Sequence, residues 1–335
     1  MRTLRTGCIL LLVIAFGIPH LEAQTRWADD VRITDLSQDA GSPKLAALED
    51  GTLYVACSLA EVSSAGLYRS DDGGTSWAFD RYISSTDPVT PISIVAVEGE
   101  KLFVSLRADL GSSHELRVWW LDLTTESTGY GVVATGNMSM QISGGTLCVD
   151  DRDYPDNRRV YVGYEVFDNS VLDTSFRFAL SSDQGGTWTN HSGIGGVEGD
   201  YAGIDIAYGN GILYYIYSYS WQFSPPEIRL RKSTNRGVSW GSNLTVETLG
   251  IASLWPKIVA AAGEPTVVVC FDDGIQDDLA VRVSYDAGLS WTSANPPNDP
   301  GERELYPQLA LCDQDEKVAL AWLQDDDPEQ QIKIS

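Results

Sequence analysis

Short apolar runs recur along the chain, separated by Gly, Pro and polar residues. In the stretch ending at Trp291 the runs are 256–262, 266–271 and 279–284. Gly263-Glu-Pro265 and the polar segment 272–278 divide them, and a more polar run follows Trp291. Runs this short, bounded by such breakers, predict four β-strands. Segment 45–77 repeats the layout with runs at 45–48, 52–58 and 66–70. The third run of each stretch ends in one motif. It reads Ser70-Asp-Asp-Gly-Gly-Thr-Ser-Trp77, Ser181-Ser-Asp-Gln-Gly-Gly-Thr-Trp188, Ser233-Thr-Asn-Arg-Gly-Val-Ser-Trp240 and Ser284-Tyr-Asp-Ala-Gly-Leu-Ser-Trp291. The template is S-x-[D/N]-x-G-x-[S/T]-W. Ordinary residue frequencies would supply on the order of 0.001 such matches in a chain of this length.

The spacing is as regular as the motif. Trp188, Trp240 and Trp291 stand 52 and 51 residues apart, and Trp77 precedes Trp188 by 111, close to two periods. Thr124-Thr-Glu-Ser-Thr-Gly-Tyr130 falls where a decayed copy belongs, and Trp27 lies 50 before Trp77. A fixed period of about fifty residues is the mark of a repeat architecture. The last unit runs 306–312, 317–323 and 331–335 and stops where its motif turn would begin, while the stretch after Trp27 resembles a lone fourth strand. The expectation is an all-β, six-bladed β-propeller with four-stranded antiparallel blades over residues 24–335. In it the N-terminal strand joins the last blade and closes the ring, leaving no exposed sheet edge.

Within the motif the residue types fit a structural turn. The acidic or amide side chain accepts backbone N–H bonds, Gly permits positive φ, and Trp packs between neighbouring blades. The turn residues are Ser70, Asp72, Gly74 and Trp77; Ser181, Asp183, Gly185 and Trp188; Ser233, Asn235, Gly237 and Trp240; and Ser284, Asp286, Gly288 and Trp291. Asn235 suits hydrogen bonding and would not serve as an acid catalyst.

These four copies resemble the Asp-box, or BNR, repeat, and in period and strand order the chain is similar to the sialidase-like superfamily. The resemblance covers residues 24–335 and is specific for the fold class rather than for an activity. Sialidases hold a substrate carboxylate with three Arg and use a Tyr nucleophile, its Glu partner and an Asp acid/base. The resemblance implies an Arg at the first strand, where this chain has Ser42-Pro-Lys-Leu45. Lys44 lacks the fork that grips a carboxylate bidentately.

Net charge and leader narrow the field. With 47 acidic against 23 basic residues, the formal charge is −24. Nucleic acid and anionic membranes would be repelled. Arg2 and Arg5 precede an apolar run from Ile9 to Phe16, followed by Gly17 and Pro19. Residues 1–23 thus read as a cleavable signal, too short in its apolar part to span a bilayer. The expectation is a secreted or periplasmic monomer without membrane insertion. Cys57, Cys148, Cys270 and Cys312 lie in apolar runs without zinc spacing and read as buried thiols.

A ligand site is expected on the face opposite the motif turns, which carries the 2–3 loops and blade connectors. Binding candidates are Arg107, Trp221, Trp255 and Arg303, with Asp109, Glu165, Asp272 and Tyr306 as catalytic candidates. Aromatic rings cover the apolar face of a sugar, while carboxylates accept its hydroxyls or form an acid/base pair. The leading reading is glycan recognition; the alternatives are an atypical sialidase, a neutral-sugar glycosidase or a protein scaffold. No cofactor is expected, although the clustered acids at 272–278 and 325–327 are of the kind calcium favours, without a recognised loop spacing.

Overall fold

The most apolar stretch of each repeat becomes its most buried strand. In a computed structural model, residues 33–34, 40–48, 50–83, 87–97, 100–150, 158–171, 173–196, 203–221, 224–248, 255–272, 278–294, 304–312, 317–326 and 329–334 are described. They form six antiparallel sheets, and one 3-10 turn, Ala60–Val62, is the sole helical element among them. The chain divides into two compact units, residues 1–130 and 131–335.

In the first unit one sheet comprises β1 (Ala40–Ala47), β2 (Leu53–Leu59), β3 (Ser64–Ser70) and β4 (Ala78–Tyr82), in that order. The next is ordered β5 (Val89–Val97), β6 (Lys101–Asp109), β7 (Ser113–Asp122) and β8 (Thr128–Asn137), with β8 carrying the chain over the unit boundary. Leu67, Leu102, Val104 and Trp119 anchor an apolar layer between the two sheets. β2 is buried along nearly its whole length, whereas β4 is half-buried or exposed. The polar fourth run of the sequence is therefore an outer strand.

The second unit holds four sheets. They are β9 (Met140–Asp150), β10 (Arg159–Asp168), β11 (Asp173–Ser181) and β12 (Thr189–Gly196); β13 (Ile204–Gly209), β14 (Ile212–Trp221), β15 (Ser224–Ser233) and β16 (Leu244–Thr248); β17 (Lys257–Ala260), β18 (Val267–Asp272), β19 (Leu279–Ser284) and β20 (Thr292–Ala294); and β21 (Glu304–Cys312), β22 (Lys317–Asp326) and β23 (Glu329–Ile334). Apolar layers fill the space between successive sheets, with Phe176, Phe178 and Tyr215 in one and Ile216, Leu230 and Phe271 in the next. The first strands β9, β13, β17 and β21 lie against one another in that order. Among the described residues the last sheet has three strands; residues 1–32, which include Trp27 and the segment read as a cleavable signal, lie outside them. Cys57, Cys148 and Cys270 are buried thiols; the side chain of Cys312 lies outside the described residues.

The four motif turns share one hydrogen-bond pattern. Ser181 Oγ donates to Asp183 Oδ1 at 2.8 Å and accepts Gly185 N–H at 2.7 Å. Asp183 also accepts Thr187 N–H at 2.8 Å and the Thr187 hydroxyl at 2.6 Å. In the Asn copy one bond reverses direction, with Asn235 Nδ2 donating to Ser239 Oγ at 2.8 Å. Two consecutive left-handed residues make each turn, such as Arg236 at φ 61° and Gly237 at φ 82°. A Cβ on Gly237 would also stand 2.6 Å from the Phe178 ring of the preceding sheet, so both backbone and packing demand glycine there. Trp240 meets Phe178 edge-on at 5.2 Å. The motif tryptophans are half-buried, not enclosed.

Candidate functional site

A bulge recurs near the start of the first strand in several sheets. Two residues, Ser42 and Pro43, oppose one in β2, and Tyr306 and Pro307 do so against β22. Bulges of this kind re-aim side chains. Ser42, Trp255 and Tyr306 adopt φ of 50°, 62° and 53°, each immediately before a proline. Proline disfavours helical conformations in the residue before it, and a left-handed non-glycine residue carries strain of about 1–2 kcal/mol. Gly144 and Gly203, at the corresponding end of β9 and just before β13, take φ of 72° and 83° without that strain. The strained positions project side chains outward: Trp255 is 42% exposed and Tyr306 51%. Their ring centroids lie 5.7 Å apart with planes tilted by 55°. Such a pair offers an apolar surface with a phenol hydroxyl at its margin.

Glu165 stands on the same run of strands. Its Oε2 accepts the Ser143 hydroxyl at 3.0 Å, while Oε1 is buried without a hydrogen-bond partner. Burial pushes this carboxyl up; the Ser143 hydroxyl and the Gly203 backbone N–H oppose the shift. Gly203 in turn crowds the backbone of Trp255, where a Cβ would come within 3.0 Å of its Cα. Ser143, Glu165, Gly203, Trp255 and Tyr306 thus follow one another along the ends of adjacent strands. Nearby, Asp205 accepts Ile206 N–H at 3.0 Å and Ile258 N–H at 3.1 Å, tying β13 to β17. Burial raises its carboxyl against the pull of the Lys257 charge. Asp272 ends β18, buried, opposite Leu279.

The first unit gathers a different set. Arg107 Nε pairs with Asp109 Oδ1 at 3.0 Å, and Asp109 lies opposite His114 in register. Burial lowers the His114 pKa, as does the Arg107 charge, against Asp109. Beside them a cavity of about 500 Å³ opens between the two sheets, bounded by residues 40–42, 58–60, 63–64 and 88–90.

The sequence predicts loops for Arg107, Asp109, Glu165, Trp221 and Asp272, but all five lie within strands. The hairpins stay paired almost to their tips: β10 and β11 remain in register to Asp168 and Asp173. Candidate groups therefore sit on strand ends that fix them more firmly than loops would. The side chain of Trp221 and all of Arg303 lie outside the described residues. Among the described residues, no group of three His, Cys, Asp or Glu could hold a metal ion; Asp273, Asp277 and Asp327, and the side chains of Asp325 and Asp326, lie outside them. No helix among the described residues is long and apolar enough to cross a membrane. The sequence reading passed over Ser143, Gly203 and Asp205. Asp205, between Ile204 and Ile206, looks like the outward position of an alternating strand until its neighbours are in place.

No protein-family model matches the chain, and no curated protein matches it. Solved structures do. A Hadza microbial sialidase, Hz136, superposes with a TM-score of 0.58 at 14% identity, over 88% of this chain and 65% of that one. An α-L-arabinofuranosidase from Fusarium graminearum, solved with an iminosugar inhibitor, gives 0.57 at 14% identity, over 88% and 92%. A Trypanosoma rangeli sialidase gives 0.56 at 12% identity, over 91% and 54%. The chain thus spans just under two thirds of the first and about half of the third. At these identities the likeness is one of fold: the chain has the sialidase-like propeller fold.

Proposed function

We propose that the chain is an exported glycan-recognition module, a six-bladed ring that binds sugars at the strand ends opposite its motif turns. The carrying observation is the Trp255–Tyr306 pair, two exposed rings held at strained backbone positions where glycine would relax the chain. Strain of this kind persists where the side chain has a use. Glu165 supplies a hydrogen-bond acceptor on the same run of strand ends. The fold neighbours include sialidases and an arabinofuranosidase, proteins named for acting on sugars, which is consistent with this reading. A glycan array read with the wild type, Trp255→Ala and Tyr306→Ala tests it. Each substitution should weaken binding about tenfold or more, as the loss of a stacking ring implies. Equal binding by all three proteins would overturn it.

A second reading, glycoside hydrolysis, rests on Glu165. A carboxyl with its pKa raised by burial and one oxygen unpartnered has the character of a general acid. Release of free sugar from a fluorogenic glycoside panel would favour this reading over binding alone.

A further inference from the structure

Sulfur is unevenly placed in this chain. There are three methionines in 335 residues, and Met1 lies outside the described residues. The other two, Met138 and Met140, stand together at one tip, 83% and 38% exposed. Methionine more often fills gaps in a core, yet among the described residues none is buried. The buried sulfur belongs to thiols instead, those of Cys57, Cys148 and Cys270. Burial pushes the Cys148 thiol up, as do the Asp205 and Asp150 charges, and so keeps it protonated and unreactive.

Hydrogen bonds anchor the backbone of the tip between β8 and β9. Asn137 Oδ1 accepts Ser139 N–H at 2.8 Å and Met140 N–H at 3.0 Å. From the turn between β10 and β11, Asn169 Nδ2 donates to Met138 O at 2.6 Å and Asn169 N–H to Ser139 O at 2.8 Å. Val171, 66% exposed, follows in the same turn. The chain is thus held on both sides of Met138, and the anchored backbone keeps its thioether presented to water.

We propose that Met138 is a redox-modification site, at which hydrogen peroxide converts the thioether to the sulfoxide. The sulfur lone pair attacks one peroxide oxygen. An S–O bond forms, the O–O bond breaks, and the proton on the transferred oxygen passes to the other, which leaves as water. Sulfur loses two electrons and the peroxide gains them. The sulfoxide is polar, and reductases reverse it. The change falls on an exposed tip instead of a core, so it alters what the tip can contact and leaves the fold in place. Met140 lies opposite Asp168 on the ladder that also pairs Ser143 with Glu165, so the mark is written on the face of the candidate site. It does not depend on glycan binding there.

The test is graded exposure of the full chain to hydrogen peroxide at neutral pH, read by peptide mass spectrometry. Met138 should gain oxygen about threefold or more faster than Met140, and Cys57, Cys148 and Cys270 should react only in urea. Retention of the oxidised wild type on a phenyl matrix should fall, and the two epimer-specific methionine sulfoxide reductases together should restore it. Met138→Leu, treated alike, should keep most of its retention. Far-UV circular dichroism and the urea midpoint should not move in either protein. The proposal is overturned if Met140 or a buried thiol reacts before Met138, if oxidation unfolds the chain, or if Met138→Leu loses as much retention as wild type.

Discussion

Ser181 shows that a motif's hold on its turn does not come from the carboxylate alone. Its side chain is fully buried and joins two partners: it donates to Asp183 and accepts Gly185 N–H. Removing the hydroxyl leaves a buried backbone donor without a partner, at a cost of about 1–3 kcal/mol. Ser181→Ala should therefore lower the free energy of urea unfolding by that amount. Asp183→Asn should cost much less, because Asn235 already does the same work in another turn, accepting Ser239 N–H at 2.9 Å and the Ser233 hydroxyl at 2.9 Å. If Asp183→Asn proved as damaging as Ser181→Ala, the turn would depend on charge instead of on hydrogen-bond geometry. The residue before the glycine is a further lesson. Gln184, Arg236 and Ala287 all take positive φ, at 59°, 61° and 59°, a conformation that no residue type at that position announces.

At the scale of elements, the repeated first strand carries both the fold and the candidate sites. Trp255 sits in strained backbone, and glycine there would relieve about 1–2 kcal/mol of strain. Against that stand the modest contacts of a ring that is 42% exposed and the entropy of an added glycine, about 0.5–1 kcal/mol. Trp255→Gly is thus expected to leave urea stability within about 1 kcal/mol of wild type while abolishing glycan binding. A large loss of stability would mean that the indole serves packing. Strand order and the buried second strand were readable in advance, since apolar runs and breakers report local preference: the run 279–284 is β19 to the residue. The site was less legible. The left-handed Trp255 and Tyr306, the buried oxygen of Glu165 and the cavity beside Ser42 all depend on bulges and on neighbouring sheets, and no local pattern encodes those. Tyr306-Pro307 and Trp255-Pro256 were visible as dipeptides; that each turns its ring outward was not.

Across the whole molecule, the turns make stability a function of acidity. In Asp72 the Ser76 hydroxyl, the Ser76 N–H and the Ser70 hydroxyl hold the carboxyl down to about 2, and Asp286 is lowered by the equivalent groups, Ser290 first. In Asp183 burial pulls the other way, but the Thr187 bonds prevail and the carboxyl is lowered too. A carboxylate whose folded pKa lies below its unfolded value of about 3.9 stabilises the protein fully above that value, and this is lost as pH falls through the folded pKa. Glu165 and Asp205 act in the opposite sense: raised by burial, they favour the folded state most when protonated, and their contribution shrinks as pH rises through the raised values. Acid also discharges a chain of formal charge −24, which relieves self-repulsion. Wild-type stability alone therefore mixes three effects, and a difference measurement separates them. Asp72→Asn combined with Asp286→Asn should be less stable than wild type at neutral pH, and the gap should close between about pH 4 and pH 2 as the wild-type carboxyls take up protons. Urea unfolding of both proteins across that interval reads the gap directly. A difference that stayed constant with pH would show that the turns draw nothing from ionisation, and that their aspartates act solely as neutral hydrogen-bonding groups.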